Sequence, residues 1–187
     1  MIGELPVSLT VNGREYGINT DFRDVLLILE AFEDPDLKDD EKAGICLMLL
    51  YEDFKAIPAT DYQEAYEKAV WFIDYGKKPG KRPPMKLMDW EQDEGIIFPA
   101  INRIAGCETR EKEYIHWWTF MGYYMEITEG VFSRVVGIRA KKKQGKKLEK
   151  WETEFYQANM DLITIKPKLS EEEQARRERI KKMLDGV

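Results

Sequence analysis

With 187 residues, 43% of them hydrophobic and 12% aromatic, the chain is long and apolar enough for one domain with a sizeable core, which excludes wholesale disorder. Its 34% charged content and net charge of −6 point to helices with well-solvated outer faces. The longest apolar run, residues 45–51, falls far short of the ~20 residues of a membrane span, and MIGELPVSLT has a glutamate where a signal peptide is basic or apolar, so a soluble, cytoplasmic protein is expected.

The first eighteen residues differ from the rest. Val-Ser-Leu-Thr-Val at 7–11 alternates apolar and polar, Asn12-Gly13 interrupts, and Arg-Glu-Tyr-Gly-Ile at 14–18 follows. Asn-Gly between such runs predicts a β-hairpin, placed over 5–18, because a type I′ turn needs two residues at positive φ. A lone hairpin is marginal in water, so its apolar face must pack on the helices that follow.

Thr20 and Asp21 then cap a helix with Phe22, Val25, Leu26, Leu29 and Phe32 on its apolar stripe. Asp34-Pro35-Asp36 stops it. A second helix, about 39–51, ends in an ICLMLLY run that is apolar on every side, which predicts burial in the middle of the core. Pro58 and Thr60 close the loop and cap a third helix with Tyr62, Tyr66, Ala69, Val70 and Ile73 on one face. Residues 76–84 form a basic, glycine- and proline-rich loop, read as an exposed connection within one domain.

Asp89 caps a fourth helix with Trp90, Ile97, Ile101, Ile104 and Ala105 facing inward. Pro99 inside it predicts a kink or a restart, and Gly106 ends it. A fifth helix is expected from Thr109 to about Ile127, with Tyr114, Trp117, Trp118, Met121 and Met125 along one side. A sixth carries Val131, Val135 and Ile138. After Gly145, a seventh carries Leu148, Trp151, Phe155, Tyr156 and Leu162. Ser170 followed by three glutamates opens a last helix whose apolar residues are Ala175, Ile180, Met183 and Leu184. The fold class is therefore mainly α, a helical domain of six to eight helices over 1–166 with an N-terminal β-hairpin, plus a helical extension over 167–187.

Chemical motifs are sparse. Glu113-x-x-His116 has the spacing of a di-iron helix step, but such sites need two steps and the chain has one histidine. His116 is instead expected half-buried, bonded to a backbone carbonyl or a carboxylate beside two tryptophans. The acidic run 33–41 starts like a calcium loop, then places Lys38, Asp39 and Ile45 at positions that need a ligand, glycine and glutamate. Residues 76–82 have the wrong length for a phosphate loop, and there is no G-x-S-x-G. Cys46 and Cys107 lack metal-ligand spacing and are read as small buried hydrophobes. The expectation is a protein without catalytic, metal or cofactor residues, and so not an enzyme.

One charge cluster stands out. Arg134, Arg139, Lys141, Lys142, Lys143, Lys146, Lys147 and Lys150 fall within seventeen residues that hold one acid, Glu149. Such a patch suits a phosphate backbone, an acidic protein partner, or plain solvation. The acidic remainder of the chain counts against DNA.

The order of several blocks resembles a known family. Ile-His-Trp-Trp-Thr-Phe at 115–120 and Phe-Ser-Arg-Val-Val-Gly-Ile-Arg at 132–139 resemble the bacteriophage gene-product-15 family. Asn-Thr-Asp-Phe-Arg at 19–23, Asp-Pro-Asp-Leu at 34–37 and Trp-Phe-Ile-Asp-Tyr-Gly-Lys at 71–77 fit the same pattern in order, so the resemblance spans about 7–156. Ile138 departs from a position that tends to be tyrosine, and the extension after Lys166 lies outside the pattern. The resemblance implies a protein of long-tailed phages or prophages with no established enzymatic activity. Its genes tend to sit between those of the major tail protein and the tape-measure protein, the usual place of a tail assembly chaperone that coats the tape measure. A structural component retained in the virion and a DNA-binding protein using the 134–150 patch are the alternatives.

A holder of an apolar helical chain needs adaptable surface, and eight methionines and five tryptophans supply it. The candidate contacts for the tape measure or another tail protein are Met121, Tyr124 and Met125, the basic Arg139, Lys141, Lys142, Lys143, Lys146 and Lys147, and Ile180, Met183 and Leu184 of the last helix. Helix-in-groove recognition is the expected mode. Self-association is also open.

Overall fold

The computed structural model describes residues 3–77 and 85–185, and the side chains of these except 178 and 180–185. Most of the basic loop, and the side chains of Ile180, Met183 and Leu184, therefore lie outside the described residues.

Strands β1 (Ser8–Val11) and β2 (Arg14–Gly17) pair antiparallel, Leu9 opposite Tyr16 and Val11 opposite Arg14. Asn12 at φ 47° and Gly13 at φ 75° make the turn that Asn-Gly predicts. Leu9, Val11, Tyr16 and Ile18 are buried. The tip is tied down by the Asn12 amide, which donates to the Glu64 carboxylate at 3.0 Å.

Nine α-helices follow among the described residues: α1 (Phe22–Glu33), α2 (Asp39–Leu50), α3 (Tyr62–Ile73), α4 (Glu94–Ala105), α5 (Trp117–Met125), α6 (Val131–Lys143), α7 (Lys150–Ala158), the single turn α8 (Met160–Ile163) and α9 (Glu171–Asp185). The main core joins the hairpin to α1–α5 around Phe22, Phe72, Ile97, Trp117 and Phe120. Phe22 and Phe120 stack with ring centroids 4.3 Å apart. A smaller cluster, Val135, Ile138 and Ile163, joins α6 to α8. None of the described helices is long and apolar enough to cross a membrane.

Several expectations are corrected. The apolar end of α2 is not buried all round: Cys46, Leu47 and Leu50 face the core, whereas Met48 is 56% exposed. α2 packs on α1 and α3. Thr60 does not cap α3; a 3₁₀ turn, Ala59–Asp61, leads in, and the Thr60 hydroxyl donates to Asp61. Asp89 caps a turn ahead of α4, accepting from the amides of Glu91 and Gln92, and the helix itself starts at Glu94. α4 continues through Pro99 to Gly106, which has φ 70°. Pro99 and Gly95, whose carbonyl loses its partner, are both exposed, so water can satisfy that oxygen. Ile104, expected inward, is 36% exposed.

The largest difference concerns α5, which starts at Trp117 rather than Thr109. Thr109–Glu111 form a 3₁₀ turn, and residues 112–116 are non-helical where the chain pairs with the entry to α1. Phe22 N donates to Ile115 O at 3.0 Å and Trp117 N to Thr20 O at 2.7 Å. The Asp21 carboxylate accepts from the Arg23 and Ile115 amides at 3.0 and 3.1 Å, and the Arg23 guanidinium reaches the carbonyls of Arg110 and Lys112. Tertiary pairing thus displaces the helix that the periodicity favours, and Glu113 and His116 do not share a helical face.

The two cysteines also separate. Cys46 is buried, and burial pushes its thiol pKa up to about 12; Cys107 is half-buried rather than buried. Because the thiolate is the nucleophile, an aromatic disulfide reagent at pH 8 is expected to label Cys107 in the folded protein and Cys46 only after denaturant is added. Prompt labelling of both thiols in buffer would contradict this packing of α2.

Candidate partner-docking surface

The His-Trp-Trp block shows why its residues are specific. His116 is 4% exposed; its Nδ1 accepts from the Trp118 amide at 3.0 Å, capping α5, so its Nε2 proton faces Pro6 O at 2.9 Å. The indole N–H groups of Trp117 and Trp118 donate to Ile73 O and Phe72 O, both at 2.9 Å. These are last-turn carbonyls of α3, which have no partner within their own helix. Gly76, at φ 69°, lets the chain turn beneath Trp118, whose ring would lie 3.1 Å from any Cβ there. The block welds α3, α5 and the N-terminal segment. With both ring nitrogens engaged, His116 holds no free valence for a metal, and no group of three or more His, Cys, Asp or Glu residues among the described ones is placed to bind one.

The basic residues divide by environment. Arg139 is 5% exposed and points inward, not toward a partner. Its guanidinium pairs with Asp93, itself 1% exposed, at 2.6 and 2.8 Å, and donates to the carbonyls of Leu87, Leu162 and Ile163. Lys141 donates to both Glu152 oxygens at 2.6 and 2.8 Å, which holds that carboxyl below its usual range. The Lys142 ammonium lies 3.5 Å from the Tyr156 ring centroid, and Lys143 donates to Lys86 O. Lys146 and Lys147 are exposed. Arg139 and Lys141 are thus removed from the outward-facing charge.

Met121 and Tyr124 are half-buried at the core's edge. The Tyr124 ring meets Trp90 and Phe132 at centroid distances of 5.3 and 5.8 Å, and burial, with Asp93 nearby, raises its phenol pKa. Met125 is exposed and its Sδ accepts from Lys77 Nζ at 3.7 Å. None of these three lines the groove described next.

A recess does lie on the other side of Trp90. Between α1 and the start of α4 runs a groove of 380 Å³, floored by Phe22, Leu26, Leu29, Trp90 and Phe98, with Leu27 on its lip, 52% exposed. Both acids and bases line it. Arg110 pairs with Glu94 at 3.4 Å and lies over the Phe98 ring, Lys168 pairs with Glu91 at 3.1 Å, and Arg23 covers Phe22. An apolar floor with a mixed-charge rim suits the apolar stripe of an amphipathic helix.

The sequence places Leu26 and Leu29 on the apolar stripe of α1 but does not foresee the groove beside them. The structure centres that stripe on Val25 and Ile28, both fully buried; Leu26 and Leu29 pack half-buried against the core and line the groove, and Leu27 is exposed. The available signal was the unbroken run 25–29, wider than one helical face requires.

A family model described as Bacteriophage Gp15 protein matches residues 1–165. No curated protein and no solved structure matches the chain.

Proposed function

The chain belongs to the bacteriophage Gp15 protein family, and from that premise we propose that it is a non-enzymatic tail assembly chaperone that holds the tape-measure protein in the host cytoplasm before the tail tube polymerises. The supporting observation is the α1–α4 groove with Leu27 exposed on its lip. A tape measure is a long, largely helical chain with apolar stripes that aggregate when unpaired. One turn of such a stripe set on Leu26, Leu29 and Trp90 would exchange water for apolar contact at about 25 cal/mol per Å² of apolar surface. Rim ion pairs of both signs tolerate many flanking sequences, which suits a holder that binds repeatedly along one chain.

The test is co-expression of the tagged chain with the neighbouring tape-measure protein. A soluble tape measure that co-purifies with several copies of the chain supports the proposal. An insoluble tape measure with nothing bound overturns it. Persistence of the chain in purified particles would replace it with a structural role in the virion.

A further inference from the structure

Helix α9 lies wholly beyond the residues that the family model matches. Its described side chains, 171–177 and 179, are all exposed. A helix of this length is marginal in water unless one face is packed. Charge is unevenly distributed along it, with Glu171, Glu172 and Glu173 at the start and Arg176, Arg177, Arg179, Lys181 and Lys182 outnumbering Glu178 and Asp185 beyond. Ile180, Met183 and Leu184 fall at i, i+3 and i+4 among those cations.

Among the described residues, the start of α9 is tied to the body and to its own cap. The Glu171 amide donates to the Asp36 carboxylate at 3.1 and 3.3 Å, and the Ser170 hydroxyl accepts from the Glu173 amide at 3.2 Å. Asp36 lies three residues before α2, and α2 forms one wall of a second groove, of 820 Å³, against α3. Phe32, Phe54, Tyr62 and Tyr66 give this groove aromatic sides, while Ala43 and Gly44 leave its floor low enough for close approach of a helix. Asp39 and Asp40 form its acidic lip, and among the described residues no cation pairs with either. The groove's own cation, Lys42, is turned to Phe32 O at 2.9 Å. No described side chain of α9 lines the groove of its own chain.

We propose that the α2–α3 groove receives the distal, basic half of α9 from a second copy of this chain, reciprocally, in a twofold dimer. Each α9 leaves the body at Asp36, beside the acidic end of its own groove, so a twofold axis near that point passes each helix into the other's groove. Asp39 and Asp40 then face Arg176, Arg177 and Arg179, and the aromatic walls cover Ile180, Met183 and Leu184. The exchange gives the apolar residues of α9 a packed environment and is made twice per dimer.

Sedimentation equilibrium of the full chain over a range of protein and salt concentrations tests this. The expected mass is twice the 22.0 kDa of one chain, with dissociation favoured by salt. Asp39→Lys with Asp40→Lys weakens the dimer about tenfold or more, as does Arg176→Glu with Arg177→Glu and Arg179→Glu. Combining the two sets restores it, which a folding defect would not do. A monomer throughout, a dimer indifferent to both sets, or no restoration in the combination overturns the proposal.

Discussion

Replacing Asp93 by alanine is expected to destabilise the protein by about 3–5 kcal/mol, because it strands a buried arginine. At ordinary denaturant sensitivity this lowers the urea midpoint by about 1–2 M. Arg139 and Asp93 are both almost fully buried, and the guanidinium also serves three backbone carbonyls from two other segments. Asp93 Oδ2 in addition accepts from the Asp89 amide at 3.0 Å. The pair therefore joins the entry to α4, the preceding segment, α6 and α8. Exchanging both partners for apolar residues is expected not to recover the loss, since the carbonyls of Leu87, Leu162 and Ile163 would keep no donor. By contrast Lys141→Ala should cost about 1 kcal/mol or less, because its side chain is 36% exposed. A midpoint for Asp93→Ala within experimental error of the wild type would contradict this account of the α4–α6–α8 junction.

Leu27→Asp carries the second large expected effect, on binding rather than folding. Leu27 is half exposed on the groove lip, so the fold should stay within about 0.5 kcal/mol of the wild type. A carboxylate set against an incoming apolar stripe would be desolvated without a partner. The loss at such a contact should exceed about 2 kcal/mol, or about thirtyfold in affinity. Thermal unfolding and quantitative pull-down on the same preparations separate the two effects. Unchanged capture of the tape measure by the variant would move the docking surface elsewhere.

Legibility in the sequence followed how local each cause is. Asn12-Gly13 specifies its turn through two positive φ angles, and Gly106 ends α4 through one; both could be read directly. The stop at 34–36 is equally local, with the Asp34 carboxylate accepting from the Asp36 amide at 2.8 Å. The start of α5 was not legible, because residues 112–116 have helical periodicity and are held out of the helix by Thr20, Asp21 and Arg23, some ninety positions away. Arg139 read as part of a basic run for the same reason: its partner, Asp93, is 46 residues distant. Ionic pairing across a fold leaves no spacing signature. His116, expected half-buried on a backbone carbonyl or a carboxylate, is fully buried on the Pro6 carbonyl, and its capping of α5 depended on where that helix begins. The ordered blocks led to the family, whose model matches 1–165, but the groove beside Trp90 depends on the rotation of α1 about Ile28, and periodicity alone left that rotation undecided.

The most direct test of a helix docking between α1 and α4 is site-specific photo-cross-linking during co-expression with the tape measure. A photoreactive phenylalanine analogue at position 27 is expected to form a covalent adduct with the tape-measure protein. The same analogue at the equally exposed Met160, which does not line the groove, is expected to form none. Adducts from position 160 but not from position 27 would contradict the assignment of this groove as the partner-docking surface.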